Sequence, residues 1–244
     1  MKKVILGIII GALLTLSVTT YAGIRAEEPT PQAVCVTPAP TPQIVYRDVV
    51  KEVIKEVEVI RLTDLETVVQ NVKNSCVMIY TYNKDGSIEQ GSGWAYNGYI
   101  VTAKHLVDGA SKIEIFTDDY KYAVAGGIEY IDLTLDVAIL RVGKTLPSVT
   151  LGDSDALIEG EKLVSITSPE GAMNMIDECL YSGKVITETE DHIALTDTLI
   201  QGGSSGGAVF CYDSKLMGMV FIGNDGFAGA IPINKIKPIL EKLK

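Results

Sequence analysis

From residue 76 onward the apolar residues fall in short runs rich in Val, Ile and aromatics, and turn dipeptides separate the runs. Candidate strands cover 76–82, 93–96, 99–103, 112–116, 137–142, 162–167, 185–188, 208–211 and 216–222. Asp85-Gly86, Asn97-Gly98, Gly126-Gly127 and Asp225-Gly226 punctuate them. Glycine reaches the positive φ that tight turns need, and β-branched side chains suit a pleated, half-buried surface. Many short strands at this spacing predict an all-β sandwich or barrel. Helices are predicted at both ends of this region. Thr63 and Glu66 fit a capping box, with Leu65, Val68, Val69 and Val72 on one face behind it. At 234–244, Ile236, Ile239, Leu240 and Leu243 form the inward face of a closing amphipathic helix.

The N-terminal quarter has a different character. Lys2 and Lys3 precede an uncharged stretch at 4–24. As a helix rising ~1.5 Å per residue it reaches roughly 31 Å, about one hydrocarbon thickness. The paired lysines stay cytoplasmic and send the remainder outward. Residues 1–25 are therefore expected to be a membrane anchor, or a signal peptide cut after Thr20-Tyr21-Ala22. Residues 26–62 read as a Pro/Thr-rich linker and a charged Val/Lys/Glu stalk. Tyr46, Val50, Val53, Val57 and Ile60 fall at heptad spacing, which could gather subunits into a homo-oligomer. The folded domain is expected over 63–244. A net charge of −10 argues against a nucleic-acid partner, because phosphate binding needs a basic face.

Three stretches carry chemistry. Gly202-Gly203-Ser204-Ser205-Gly206-Gly207 can turn sharply and bring backbone N–H groups around a serine. A serine attacks carbonyls only when a base takes its proton and such donors receive the oxyanion. His105 follows the apolar run Ile100-Val101-Thr102-Ala103, and Asp136 opens Val137-Ala138-Ile139-Leu140. An aspartate at the start of a buried strand needs hydrogen-bond donors. An imidazole N–H would satisfy it and fix the tautomer that leaves the other ring nitrogen free as a base. Both Ser204 and Ser205 fit a Gly-x-Ser-x-Gly type of spacing.

The order His, Asp, Ser, with Val-Thr-Ala-x-His, Asp-x-Ala-x-Leu and Gly-x-Ser-Gly-Gly, resembles the chymotrypsin-like (trypsin-like) serine proteases. Thr196-Asp197-Thr198-Leu199-Ile200-Gln201 leading into the glycine run is similar to the bacterial HtrA (Deg) branch. Ser168-Pro169-Glu170-Gly171 and Gly229-Ala230-Ile231-Pro232 also resemble that branch. The resemblance covers about 63–244. It implies two six-stranded antiparallel β-barrels with the site between them. It implies His105 as base, Asp136 as its orienting acid and Ser205 as nucleophile, and it assigns no such duty to His192. The N–H groups of Gly203 and Ser205 would form the oxyanion hole.

The same resemblance puts the P1 pocket between the residues before Ser205 and the strand near 220–224. Leu199, Ile200, Phe221 and Ile222 are apolar there, and no acid stands where trypsin-like enzymes hold one, so small or medium aliphatic P1 residues are expected. Chymotrypsin-like proteases often join strands with a disulfide at the positions of Cys179 and Cys211. That implies adjacent strands in the second barrel, with Cα atoms about 4.4–6.8 Å apart. Ser204 replaces the branch's usual Asn, Gly202 and Ala208 its usual Pro. The branch usually adds a C-terminal PDZ domain, and the 244 residues are expected to lack one.

Rival chemistries fit less well. An α/β-hydrolase needs its histidine after the serine, and none follows Ser205. A zinc hydrolase needs a His-x-x-x-His type of pair, which is missing. No cofactor or metal is expected. The sequence therefore predicts an exported serine endopeptidase acting on polypeptides. A protease-derived scaffold with a closed site is the alternative.

Overall fold

In a computed structural model of the chain, residues 64–117, 122–143, 145–186, 191–196, 198–224 and 226–243 are described. The anchor or signal at 1–25 and the stalk at 26–62 lie outside them. Among the described residues no helix is long and apolar enough to cross a membrane.

Helix α1 spans Leu65–Val72, and its cap is Asp64, one residue later than the sequence suggests. The Asp64 carboxylate accepts the Thr67 N–H at 2.8 Å, satisfying one of the N–H groups that a helix start leaves open. Val68 and Val72 are buried beneath it.

Six strands then close a barrel: β1 Cys76–Asn83, β2 Ile88–Tyr96, β3 Tyr99–Thr102, β4 Ala110–Phe116, β5 Tyr122–Ile131 and β6 Ala138–Val142. They pair in the order β1-β2-β3-β6-β5-β4. A short helical turn, α2 Lys104–Val107, leaves β3. The Gly126-Gly127 pair, which reads as a turn, lies inside β5. Gly127 has φ +122° where the register shifts against β6, so the glycines make a bulge that bends the strand and do not end it.

After the two-residue strand β7 Thr150–Leu151 come β8 Lys162–Thr167, β9 Met175–Ile186, β10 Asp191–Thr196, β11 Ala208–Cys211, β12 Lys215–Asn224 and β13 Phe227–Pro232. Pairings run β11-β8-β9-β10-β13-β12, and a β11–β12 pairing joins the two ends into a ring of six. The stretch 185–188, read from sequence as a strand of its own, is represented by the last two residues of the twelve-residue β9. Polar Asp177, Glu178, Ser182 and Lys184 interrupt the apolar pattern of β9 and hide it. Helix α3, Ile233–Leu240, follows β13 and buries Ile233, Ile236, Ile239 and Leu240.

Strand alternation builds three cores. Ile100 and Leu140 point into the first barrel, with Ile79 and Ile115. Leu163, Leu195 and Val209 fill the second. The opposite faces, Val101, Ile139, Ile166 and Phe210 among them, meet in a third cluster that also takes α1 and α3. Each such fully buried side chain stabilises the fold by about 1.5–3 kcal/mol. This third cluster joins the barrels and so fixes how the site residues of one face those of the other.

The Cys179–Cys211 disulfide is overturned. Cys179 and Cys211 are both free and buried. Cys179 pairs with Leu163 from one side, and Cys211 pairs with Leu163 from the other. Strand β8 therefore lies between them, and two strand spacings of ~4.8 Å put their Cα atoms roughly 10 Å apart, beyond bridging range. Both thiols pack in the second core as small apolar groups.

Candidate active site

His105 sits on α2, just past the end of β3. Asp136 ends a tight turn that Asp132 organises, its Oδ1 accepting the N–H groups of Thr134 and Leu135, each at 2.8 Å. The turn brings Asp136 against α2. Its Oδ2 lies 2.6 Å from His105 Nδ1, and its Oδ1 accepts the His105 backbone N–H at 2.8 Å. Its own carbonyl accepts the Lys104 N–H at 3.3 Å. Burial alone would raise the Asp136 pKa, but the hydrogen bonds from His105 outweigh it and hold the carboxyl below its ordinary range. That hydrogen bond in turn raises the imidazole above its ordinary 6.5; burial opposes the rise, and the charges of Asp136 and Glu89 add to it. The ring is thus held through Nδ1, with Nε2 left to act on something else.

The 201–207 segment faces it from the second barrel. Ser204 N–H donates to the Gln201 carbonyl and Gly207 N–H to the Ser204 carbonyl, each at 2.9 Å. Gly206 N–H donates to Val220 O at 2.7 Å, anchoring the turn on β12. Gly206 has φ +85°, and a Cβ there would collide with the Ser92 carbonyl oxygen and Thr102 Oγ1. No other residue type fits. The two barrels meet here: Ser92 N–H donates to Ser205 O at 2.8 Å, and Ser92 Oγ donates to Gly203 O at 2.9 Å.

The two serines have different environments. Ser204 is 0% exposed; its hydroxyl donates to Thr167 Oγ1 at 3.2 Å and accepts the Gln201 N–H at 3.3 Å. Ser205 is partly exposed. Among the described residues neither the Ser205 hydroxyl nor His105 Nε2 makes a hydrogen bond; the turn meets the His105 segment at Ala103, whose N lies 2.9 Å from where a Gly206 Cβ would sit. The N–H groups of Gly203 and Ser205 likewise have no acceptor among the described residues. A turn whose carbonyls are tied back while these donors stay open can receive a negatively charged oxygen.

Residues 91–219, more than half of the chain, match the trypsin-like peptidase domain. The chain belongs to that family. A probable periplasmic serine endoprotease, DegP-like, from Pseudomonas savastanoi pv. phaseolicola is 34% identical over 166 residues, which is 63% of this chain and 34% of that protein. A protein of the same description from Rickettsia prowazekii is 35% identical over 175 residues, 65% of this chain and 34% of that one. The solved structure of the HtrA-type protease AlgW with tripeptide superposes with a TM-score of 0.66 at 26% identity, covering 72% of this chain and 62% of that one. The two-barrel architecture is therefore that of the family, in its HtrA-like branch. The chain spans about a third of the length of the curated relatives it matches.

The four apolar residues expected at a P1 pocket do not converge. Leu199 is 73% exposed and Ile222 55%, while Ile200 is 2% exposed and packs in the second core. Phe221 packs with the cluster between the barrels, its ring 4.4 Å from that of His192. Leu199 and Ile200 instead border a cavity of about 340 Å³ with Pro169, Met175 and Asp177. Asp177 was not anticipated. It comes from β9, and its Oδ2 accepts Thr198 Oγ1 at 2.5 Å and Leu199 N–H at 2.9 Å. Ser92 and Gln90 on β2 were also missed. The signal was the small-residue run Gly91-Ser92-Gly93: a side chain at Gly91 would collide with Leu106, so β2 runs against α2 there.

Proposed function

We propose that this chain is a serine endopeptidase of exported or unfolded polypeptides, with Ser205 as nucleophile, His105 as general base and Asp136 as the group that orients it. The observation that carries the reading is the double grip of one carboxylate on His105, opposite an accessible serine whose turn keeps two N–H donors open. In this reading His105 Nε2 takes the Ser205 hydroxyl proton as Oγ attacks the scissile carbonyl. The resulting oxyanion is received by the N–H groups of Gly203 and Ser205. His105 then gives the proton to the leaving amine, and an acyl-Ser205 ester remains. Water, deprotonated by the same imidazole, hydrolyses it. Asp136 stays ionised and stabilises the imidazolium.

A catalytic serine–histidine hydrogen bond is often long before substrate binds and tightens in the complex. Its absence also fits a silent scaffold, so the two readings part on turnover. Stopped-flow mixing with an activated ester should give a burst of alcohol followed by slower steady turnover, and unfolded casein should be cut. A linear trace at the buffer rate, with casein intact, would leave the scaffold. Export is supported by the periplasmic description of the DegP-like relatives. Fractionation that finds the mature chain in the cytoplasm would remove that part.

A further inference from the structure

We propose that Gln90 is a positioning residue for the oxyanion-binding turn: its carboxamide ties β2 of the first barrel to residues 168–171, which hold the Gly202 carbonyl and so leave the Gly203 N–H open. This rests on the protease reading above. Gln90 is the residue before Gly91 and is half-buried. Its Oε1 accepts the Gly171 N–H at 2.8 Å, and its Nε2 donates to the Ser168 carbonyl. The partners fix which end is oxygen, since an N–H must meet an acceptor and a carbonyl a donor.

The clamped loop is one that would relax if released. Glu170 has φ +47° and Gly171 φ +83°, two left-handed residues in succession. A non-glycine residue there costs about 1–2 kcal/mol and persists only when its surroundings over-determine it. Here Gln90 grips both flanks. From that loop the Glu170 N–H donates to Gly202 O at 3.1 Å, and the Ser168 N–H donates to Ser92 Oγ at 2.7 Å. Ser92 Oγ in turn holds Gly203 O. With the Gly202 carbonyl drawn toward the loop, the N–H of the same trans peptide, that of Gly203, is left facing the other way. Gly203 also touches the clamp directly: a Cβ built on it would lie 2.7 Å from Gln90 Oε1 and 2.9 Å from Ser168 O. The carboxamide therefore packs on the oxyanion turn as well as on the loop behind it.

Gln90→Met keeps the volume and removes both hydrogen bonds. In the full chain it should lower kcat about tenfold or more, with KM for a peptide amide within about twofold, because an oxyanion donor acts in the transition state. Affinity for a peptidyl trifluoromethyl ketone, whose adduct carries the oxyanion, should fall by the same factor as kcat/KM. A merely structural loss would lower the melting temperature without this match. Gln90→Glu keeps the acceptor for Gly171 and loses the donor to Ser168, and it carries the same test where Gln90→Met does not fold. A folded variant with kcat and ketone affinity within about twofold of wild type overturns the role of Gln90. A wild-type chain inert to substrate and ketone alike overturns the protease reading itself.

Discussion

Asp136 holds His105 twice, by the ring at 2.6 Å and by the backbone N–H at 2.8 Å. The carboxylate therefore sets the orientation of the imidazole and its tautomer together. Asp136→Asn should keep the backbone contact, since the amide oxygen still accepts. Its amide cannot serve both as that acceptor and as acceptor of Nδ1–H without turning a donor toward the ring. kcat should fall about 10⁴-fold in a variant that stays folded at the assay pH. A loss under about tenfold would take Asp136 out of the mechanism.

The hydrogen bond to Asp136 raises the pKa of His105 above 6.5. The base must be neutral to act, so kcat/KM should climb through a limb above 6.5. Glu89→Gln, which removes a smaller contribution, should move that limb down slightly. Stability follows the opposite course. The raised histidine contributes in full below 6.5, and that contribution is lost as pH rises through its folded value. The depressed Asp136 contributes above 3.8, and its share is lost as pH falls through its folded value. The melting-temperature gap between wild type and Asp136→Asn should thus be widest between those two values and shrink toward pH 9. A gap that widens above neutrality would contradict the pairing.

Ser204 and Ser205 should separate cleanly. Ser204→Ala removes a buried hydroxyl that bridges Thr167 and Gln201, costing about 1 kcal/mol of stability and leaving measurable peptidase activity. Ser205→Ala should leave stability near wild type and abolish acylation. Kinetics and chemical denaturation of the two variants decide it, and the reverse pattern would move the nucleophile to Ser204.

Reducing agent should leave the melting temperature unchanged, because no bridge joins Cys179 to Cys211. Burial pushes the Cys179 thiol up to about 12, so it stays protonated and slow to alkylate until the chain unfolds. Non-reducing peptide mapping that finds a Cys179–Cys211 pair would contradict the strand order.

Cleavage is expected after small or medium aliphatic residues. Asp177 borders the cavity beside Leu199 and Ile200, but its Oδ2 is already taken by the Thr198 hydroxyl and the Leu199 N–H. A largely apolar surface whose acid is already hydrogen-bonded repays little of the desolvation of lysine or arginine. Product sequencing on a peptide library checks this, and a profile dominated by Lys or Arg at P1 would reverse it.

The sequence was legible where local chemistry and period agree. The strand after Ser75, the buried run after Asp136 and the glycine turn around Ser205 all appear where apolar alternation and turn residues place them. It was less legible where tertiary contacts decide. Gly126-Gly127 reads as a turn, and only pairing with β6 makes it a bulge. Cys179 and Cys211 look like neighbours because both face one core, and nothing local says that β8 runs between them. Gln90 and Asp177 are ordinary polar residues in strands. They reach the site through partners 81 and 22 residues away, a separation that no local pattern carries.

An activated Ser205 should react with a fluorophosphonate in the folded chain, as an unactivated serine does not. One adduct per chain is expected, mapped by mass spectrometry to Ser205, lost in His105→Ala and kept in Ser204→Ala. A folded wild-type chain that takes no adduct, or that carries it on another residue, would contradict it.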